Sequence, residues 1–289
     1  MTDSVGTWLN WLTLNSARTT VEAYAYEIER LCRFHAGRDP VTLGLNELTA
    51  YLADRKASGL GQAALYRATN ALRSFYKFHL GAQSPARMLP LKKPPVKRLR
   101  SLSLEQVSDL LASIDTSVPK GKRDLALVSF MIDTGFRASE ICRLDDAAVD
   151  LKNRLARVIV KGGQEGFGAF SEETAAYCAT WRSERVRIAR DAAFFVGFEL
   201  HRPGHRLTRE GLTDIIRALG DKAGLRLSPH DLRRTFATLS ILMGAPSRLV
   251  QVAGRWSDLR LVERYTQSIT ASAIDPYSPV SAAARRVQR

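Results

Sequence analysis

The stretch GRWSDLRLVERY, residues 254–265, ends on Tyr265, which follows the tryptophan of the same stretch by nine positions. Three other marked features precede it. TGFRASE occupies residues 134–140, Lys161 follows an apolar run, and HDLRR occupies residues 230–234. Two arginines, a lysine, a histidine and a tyrosine can surround a phosphodiester, neutralise its growing charge and attack it without a metal ion. The set predicts phosphodiester chemistry.

The composition is that of a basic globular protein. The chain has 289 residues, a hydrophobic fraction of 45%, a formal net charge of +14 and an isoelectric point near 10.1. This length holds one large domain or two ordinary ones. The positive charge favours a polyanionic partner such as nucleic acid. Basic proteins with other functions share this charge, so charge alone leaves nucleic-acid binding open.

The cysteines and the N-terminus predict a location. Cys32, Cys142 and Cys178 are odd in number and lack C-x-x-C spacing, which is typical of reduced thiols. No signal-peptide pattern opens the chain, and no apolar run reaches the ~18 residues that a membrane span needs. We expect a cytoplasmic, nucleoid-associated protein without a membrane partner.

Residues 7–80 predict four helices with apolar side chains at helical spacing. A capping box, Thr19-x-x-Glu22, predicts the start of the second helix. The fourth helix is predicted over residues 62–80, and its polar side predicts DNA contacts. The side chains concerned are Arg67, Asn70, Ser74 and Lys77. An ordinary solvated helix face would look the same.

Residues 87–100 contain six cations, three prolines and no acidic residue. The prolines exclude a helix and favour an extended path. We therefore predict a helical domain over 1–86, a basic linker over 87–100, a catalytic domain over 101–270 and a tail over 271–289. The linker carries more charge than a plain spacer needs, which predicts that it crosses a phosphate backbone. The cations expected to do so are Lys92, Lys93, Lys97 and Arg98.

The second domain begins with a predicted capping box, Ser103-x-x-Gln106, and continues as helices to about residue 144. Three short strands are predicted over 147–151, 155–160 and 166–170, separated by turn residues. Helices resume from residue 172. The pattern predicts a mostly helical domain with a small antiparallel sheet.

Ser228 and Pro229 predict a helix start, with His230 in the first turn. His230 and Arg233 are three residues apart, so they share a face near the positive end of the helix, where anions bind. Arg234 adds a cation that we expect to contact DNA. A lone His-x-x-Arg pair is more often an ordinary surface pair.

Arg137 follows a Thr-Gly turn from which a guanidinium can bind a phosphate with two hydrogen bonds. Glu140, three residues on, can orient it or form only a surface ion pair. Lys161 precedes two glycines, so a flexible turn can bring its ammonium group to a leaving oxygen. An exposed hairpin lysine is the other interpretation.

The hydroxyl of Tyr265 is a weak nucleophile at neutral pH, because a tyrosine pKa is near ~10. It needs cations around the phosphate. A half-buried aromatic residue is the alternative interpretation, and Tyr177 and Tyr277 are rival nucleophiles. Neither rival has the nine-residue spacing to Trp256.

In order and spacing, these motifs resemble those of the tyrosine recombinase family, the phage-integrase and Xer group, in a minimal form without an arm-binding domain. The similarity covers about residues 100–270, and the helices before it resemble the core-binding domain of the family. The resemblance implies a mainly α fold. It has an N-terminal helical core-binding (SAM-like) domain and a larger, mostly α catalytic domain with a small antiparallel β-sheet.

The resemblance also implies roles. Arg137 and Arg233 would clamp the scissile phosphate, and His230 would act in acid–base catalysis. Lys161 would protonate the departing 5′ oxygen, and Tyr265 would form the 3′-phosphotyrosine link. Trp256 would occupy a position that is usually histidine.

Two features depart from the family pattern. Arg255 separates Gly254 from Trp256, where the glycine is usually adjacent. Residues 164–170 lack the basic third strand that often follows the catalytic lysine, which makes Lys161 the least secure assignment.

The resemblance implies double-stranded DNA with inverted half-sites as partner, and self-association to a tetramer on DNA. An accessory DNA-bending protein or a partner recombinase is an optional addition, and no cofactor or metal is expected. The tail, 271–289, is expected to pass to a neighbouring protomer. A type IB topoisomerase and a recombinase-derived DNA-binding protein without cleavage remain alternatives.

Overall fold

The computed structural model describes residues 3–95, 100–160, 163–199 and 202–266. The chain divides into two compact units, Met1–Lys97 and Arg98–Arg289. The division falls within the basic segment 87–100. In the described part of the chain, no helix combines the length and the apolar character needed to cross a membrane.

The first unit is a four-helix domain, as predicted. Its helices are α1 (Asp3–Asn15), α2 (Arg18–Phe34), α3 (Leu45–Ala57) and α4 (Gln62–Leu80). Trp8, Leu72 and Phe75 are fully buried in its core. The predicted bounds of α4 are confirmed, and Gly81 ends this helix in a backbone conformation with positive φ.

The predicted capping box at Thr19 is wrong. Helix α2 begins one residue earlier, at Arg18, and its N-cap is Ala17, which has no side chain able to accept a hydrogen bond. Glu22 is instead an ion-pair partner of Arg18, with an Nε to Oε1 distance of 2.7 Å. Thr19 therefore lies inside the first turn, where the box geometry is not available.

The second unit contains the other described helices. They are α5 (Leu104–Ala112), α6 (Pro119–Thr134), α7 (Ala138–Arg143), α8 (Glu172–Ile188), α9 (Arg209–Lys222), α10 (Pro229–Leu242), α11 (Ser247–Ala253) and α12 (Leu259–Thr266). The capping box at Ser103 is confirmed: its Oγ accepts from the backbone of Gln106, whose side chain accepts from Ser103 N. Phe130, Phe136 and Trp181 are fully buried in the core.

A three-stranded antiparallel sheet lies between α7 and α8, as predicted. Its strands are β1 (Val149–Asp150), β2 (Leu155–Ile159) and β3 (Glu165–Ala169), in the order β1-β2-β3. Ala156 pairs with Val149 on one side and with Gly168 on the other. Alternate residues of β2 and β3 are buried. The buried positions of β3 are Gly166 and Gly168, so this strand turns two glycines toward the core.

Candidate active site

Arg137 is fixed at the beginning of α7 by Glu140. The Nη1 of Arg137 donates to Oε1 of Glu140 at 2.7 Å, and its backbone N donates to Oε2 at 2.9 Å. The Glu140 side chain is 6% exposed, whereas that of Arg137 is 45% exposed. A rigid buried carboxylate thus orients a guanidinium that stays open to solvent, at the positive end of a helix.

His230 lies in the first turn of α10, behind the predicted helix start. Ser228 is the N-cap, and both its backbone N and its Oγ donate to Asp231 Oδ2, at 2.9 and 2.6 Å. The other carboxylate oxygen of Asp231 accepts from Arg234 Nη1 at 2.9 Å. Asp231 therefore holds the turn and Arg234 together and leaves the exposed His230 ring at the surface.

The surroundings of His230 favour its neutral form. Partial burial of the ring lowers the pKa of His230 below its ordinary value, and the positive charges of Arg234 and Arg233 lower it further. Asp231 acts in the opposite direction. Because the ordinary value is about 6.5, the imidazole is neutral at pH 7 and can accept a proton.

Replacing Arg234 with methionine is expected to raise the pKa of His230. The change removes one positive neighbour and frees Asp231 from its ion pair, and both effects favour the charged imidazolium. An NMR titration of the ring in the wild type and in Arg234→Met measures this. A pKa that stays constant or falls would contradict the assigned electrostatics.

Arg233, on the next turn of α10, is 1% exposed and joins two distant segments. Its Nη1 donates to the carbonyl of Gly135, and its Nη2 donates to the carbonyl of Gly254 at 2.6 Å. Its Cζ lies 4.2 Å from the centre of the Trp256 ring. Arg233 therefore fastens the loop that precedes Arg137 to the segment that precedes α12.

Trp256 is buried and stacks on Phe236, with ring centres 6.2 Å apart. Gly254 is required beneath it, because a Cβ at that position would lie 1.7 Å from the Trp256 ring. The fully buried Val262 of α12 belongs to the same apolar cluster. Tyr265 lies one turn further along α12, and the description covers only its backbone.

Arg255, which sequence reasoning recorded only as a departure, lies at the centre of these contacts. Its Nη1 donates to Phe167 O of β3 at 3.0 Å, and its Nη2 donates to Thr134 O at 3.1 Å. The same Nη2 lies 3.5 Å from Glu140 Oε2. Burial lowers the pKa of Arg255 to about 10, so the side chain remains charged at neutral pH.

Two parts of the predicted site remain unexamined. Lys161 lies outside the described residues, in the connection between β2 and β3. The described part of the chain contains no group of three or more His, Cys, Asp or Glu side chains that could hold a metal ion.

The predicted DNA-contact residues of the first unit lie on α4, three of them along one groove. Asn70, Ser74 and Lys77 line this groove of about 670 Å³ together with residues of α1 and α2, whereas Arg67 is exposed outside it. Of the predicted linker cations, Lys92 and Lys93 are exposed, and Lys97 and Arg98 lie outside the described residues.

Comparison with known proteins identifies both units. The profile of the phage integrase family matches residues 100–271, and that of the phage integrase N-terminal SAM-like domain matches residues 5–83. The chain belongs to the phage integrase family.

Curated relatives of this recombinase support the same assignment. Tyrosine recombinase XerD of Ralstonia nicotianae is 31% identical over 272 residues, which cover 89% of this chain and 86% of the relative. Tyrosine recombinase XerC of Bacillus pumilus is 31% identical over 265 residues, which cover 87% of each. The protein is therefore an enzyme of the tyrosine recombinase type.

Solved structures share the fold of the recombinase. XerH site-specific recombinase bound to a palindromic difH substrate gives a TM-score of 0.73 at 20% identity, over 92% of this chain and 81% of that one. The Tn1549 transposon integrase in complex with transposon right end DNA gives 0.71 at 17% identity, over 99% of each chain.

Proposed function

We propose that the recombinase breaks a DNA strand by attack of the Tyr265 phenolic oxygen on the scissile phosphorus. The bond between phosphorus and the 5′ oxygen breaks, the 5′ oxygen takes a proton, and a 3′-phosphotyrosine remains. A 5′-hydroxyl from the partner strand reverses the step and releases the tyrosine. Because the phosphotyrosine keeps the energy of the broken bond, rejoining needs no nucleotide hydrolysis.

The contacts of Arg233 carry this proposal. One buried guanidinium binds Gly135 and Gly254, so the segment of Arg137, the helix of His230 and the chain leading to Tyr265 meet at one point. A phosphate held there would be close to a helix N-terminus and several cations, which stabilise the pentacovalent transition state.

The proposed roles follow from exposure and charge. Arg137 binds the phosphate directly, because about half of its side chain is open and Glu140 fixes its direction. Arg233 contributes positive charge from the interior and holds the site together. His230, neutral at pH 7, takes part in proton transfer with the attacking phenol. Lys161 remains the proposed donor to the 5′ oxygen, and buried Trp256 supports the segment that leads to α12.

The substrate that we propose is double-stranded DNA with inverted half-sites. Helix α4 and the basic linker of the first unit bind it together with the catalytic unit, which Arg234 joins through a phosphate contact. We propose that four protomers assemble on two sites, as an integrase of a mobile element or a dimer resolvase does. The predicted exchange of the tail, 271–289, lies outside the described residues.

A suicide substrate tests the proposed reaction. A nick close to the cleavage position lets a short 5′-hydroxyl fragment diffuse away, so the covalent complex accumulates and a denaturing gel detects it. Tryptic mapping of the adduct is expected to place the phosphate on Tyr265. DNA binding without an adduct would favour the non-cleaving protein, and relaxation of any supercoiled plasmid without sequence preference would favour the topoisomerase.

Neutralising the linker should reduce the salt dependence of DNA binding. Changing Lys92, Lys93, Lys97 and Arg98 together to glutamine removes up to four phosphate contacts. The slope of log K against log salt should then fall by roughly 3 to 4, about 0.9 for each contact. Fluorescence anisotropy between low and moderate salt measures the slope. An unchanged slope would show that the linker does not contact DNA.

A further inference from the structure

Arg255 adopts an unusual backbone conformation. It follows α11 and its C-cap Gly254, and its φ is +56°, in the left-handed region that favours glycine. Gly254, one residue earlier, has an ordinary φ of −84°. The glycine is needed beneath the Trp256 ring, and the left-handed position is left to an arginine. A side chain held at such a position is normally fixed by its surroundings.

The surroundings of Arg255 come from three parts of the second unit. Besides Phe167 O of β3 and Thr134 O, its guanidinium bonds to Ala253 O at 2.6 Å. Its Cζ lies 4.3 Å from the centre of the Phe136 ring. The side chain is 8% exposed. Arg255 therefore serves the interior of the protein and is not itself a DNA contact.

Strand β3 is shaped to receive this side chain. A Cβ on Gly166 would lie 2.8 Å from Arg255 Cδ, and a Cβ on Gly168 would lie 2.2 Å from the Phe136 ring. Both glycines are therefore required by close approach rather than by their own dihedral angles. The inserted arginine and the glycine-rich third strand, which look like two separate departures in the sequence, form one contact.

The contact ends on the carboxylate that orients Arg137. Glu140 accepts from Arg137 through both oxygens and lies 3.5 Å from Arg255 through Oε2. Its side chain is 6% exposed, so its charge needs cationic partners. Arg255 supplies the buried partner, and Arg137 supplies the exposed one.

We propose that Arg255 is a positioning residue for strand cleavage. It holds Glu140 and the 134–137 loop against β3, so that the guanidinium of Arg137 meets the scissile phosphate in a fixed orientation. It also ties that loop to the segment carrying Trp256 and leading to Tyr265. The inference rests on the proposed role of Arg137 as phosphate ligand.

The principal test is Arg255→Gly, with Arg154→Gly as matched control. Glycine suits the left-handed conformation at either position, so only the loss of the side chain remains. Arg154 also has a positive φ, +55°, and its side chain is 51% exposed in the turn before β2. Both variants lose one positive charge. Single-turnover cleavage of the suicide substrate is measured at saturating protein, below the melting temperature of each variant.

Arg255→Gly is expected to slow cleavage about 10- to 100-fold, the cost of a misplaced catalytic group. DNA affinity should change by less than about threefold, because many other cations share binding. Arg154→Gly should cleave at the wild-type rate. Normal cleavage by Arg255→Gly would overturn the inference.

Double variants separate positioning from a general loss of stability. In an Arg137→Lys background, Arg255→Gly should slow cleavage by no more than about threefold further, because the orientation it maintains is already lost. Gly166→Ala should slow the wild type by displacing the Arg255 stem, yet have little effect in Arg255→Gly. Independent, multiplicative effects in both cycles would show a merely structural role.

The two levels of the proposal fail differently. If Arg137→Ala cleaves normally, the proposed phosphate ligand is wrong and the inference falls with it. If Arg137→Ala is impaired and Arg255→Gly is not, only the positioning role is wrong.

Discussion

Tyr265→Phe is expected to bind target DNA with wild-type affinity and to form no covalent adduct. The change removes only the attacking oxygen, so no phosphotyrosine can form, whereas the cations that bind DNA stay in place. Adduct formation on the suicide substrate, measured by denaturing gel, should fall below detection. An electrophoretic mobility shift on the same DNA measures binding.

Conservative changes at the rival tyrosines serve as controls. Tyr177 lies on α8, partly buried against the core, so Tyr177→Phe should keep full adduct formation. Tyr277, outside the described residues, should behave in the same way. An adduct in Tyr265→Phe, or its loss in Tyr277→Phe alone, would show that the nucleophile is misassigned.

Arg137→Ala and Arg233→Ala are each expected to slow cleavage by at least ~100-fold. This is the scale measured when one preorganised donor to a developing charge is removed. DNA affinity should fall far less, since many cations contribute to it. Single-turnover cleavage and anisotropy measure the two quantities. Near wild-type cleavage by both variants would place the phosphate clamp elsewhere.

The same two variants should differ in stability, because burial differs between the arginines. Arg233→Ala leaves the carbonyls of Gly135 and Gly254 without their donor, at roughly 1–3 kcal/mol for each unsatisfied group. Arg137→Ala removes a half-exposed ion pair worth about 1 kcal/mol or less. Urea unfolding should therefore show a clear loss of unfolding free energy only for Arg233→Ala. Equal losses would contradict the burial described for the pair.

The sequence predicted the features that depend on neighbours along the chain. Helical spacing and flanking glycines gave the bounds of α4, and the Ser103 box holds because its two partners are three residues apart. The box at Thr19 failed for a local reason: Ala17 already has the extended backbone of an N-cap, and Glu22 is held by Arg18.

Features that depend on distant contacts were not predictable from the pattern. The need for Gly168 becomes visible only when the Phe136 ring lies against β3, and the burial of Arg233 only when Gly135 and Gly254 converge. A signal for Arg255 was present, since it stood between two motif residues. Its meaning required the carbonyl of Phe167, which is 88 positions away in the sequence.

These separations have a consequence for biosynthesis. Arg137 leaves the ribosome long before its orienting contacts exist, because Gly135 waits for Arg233, 98 residues later, and Thr134 waits for Arg255, 121 residues later. At bacterial or eukaryotic elongation rates this delay is on the order of ten seconds. During that interval the nascent chain can already bind nucleic acid through its basic first unit, yet it has no assembled site. A protein that cuts chromosomes thus becomes competent only when its synthesis is nearly complete.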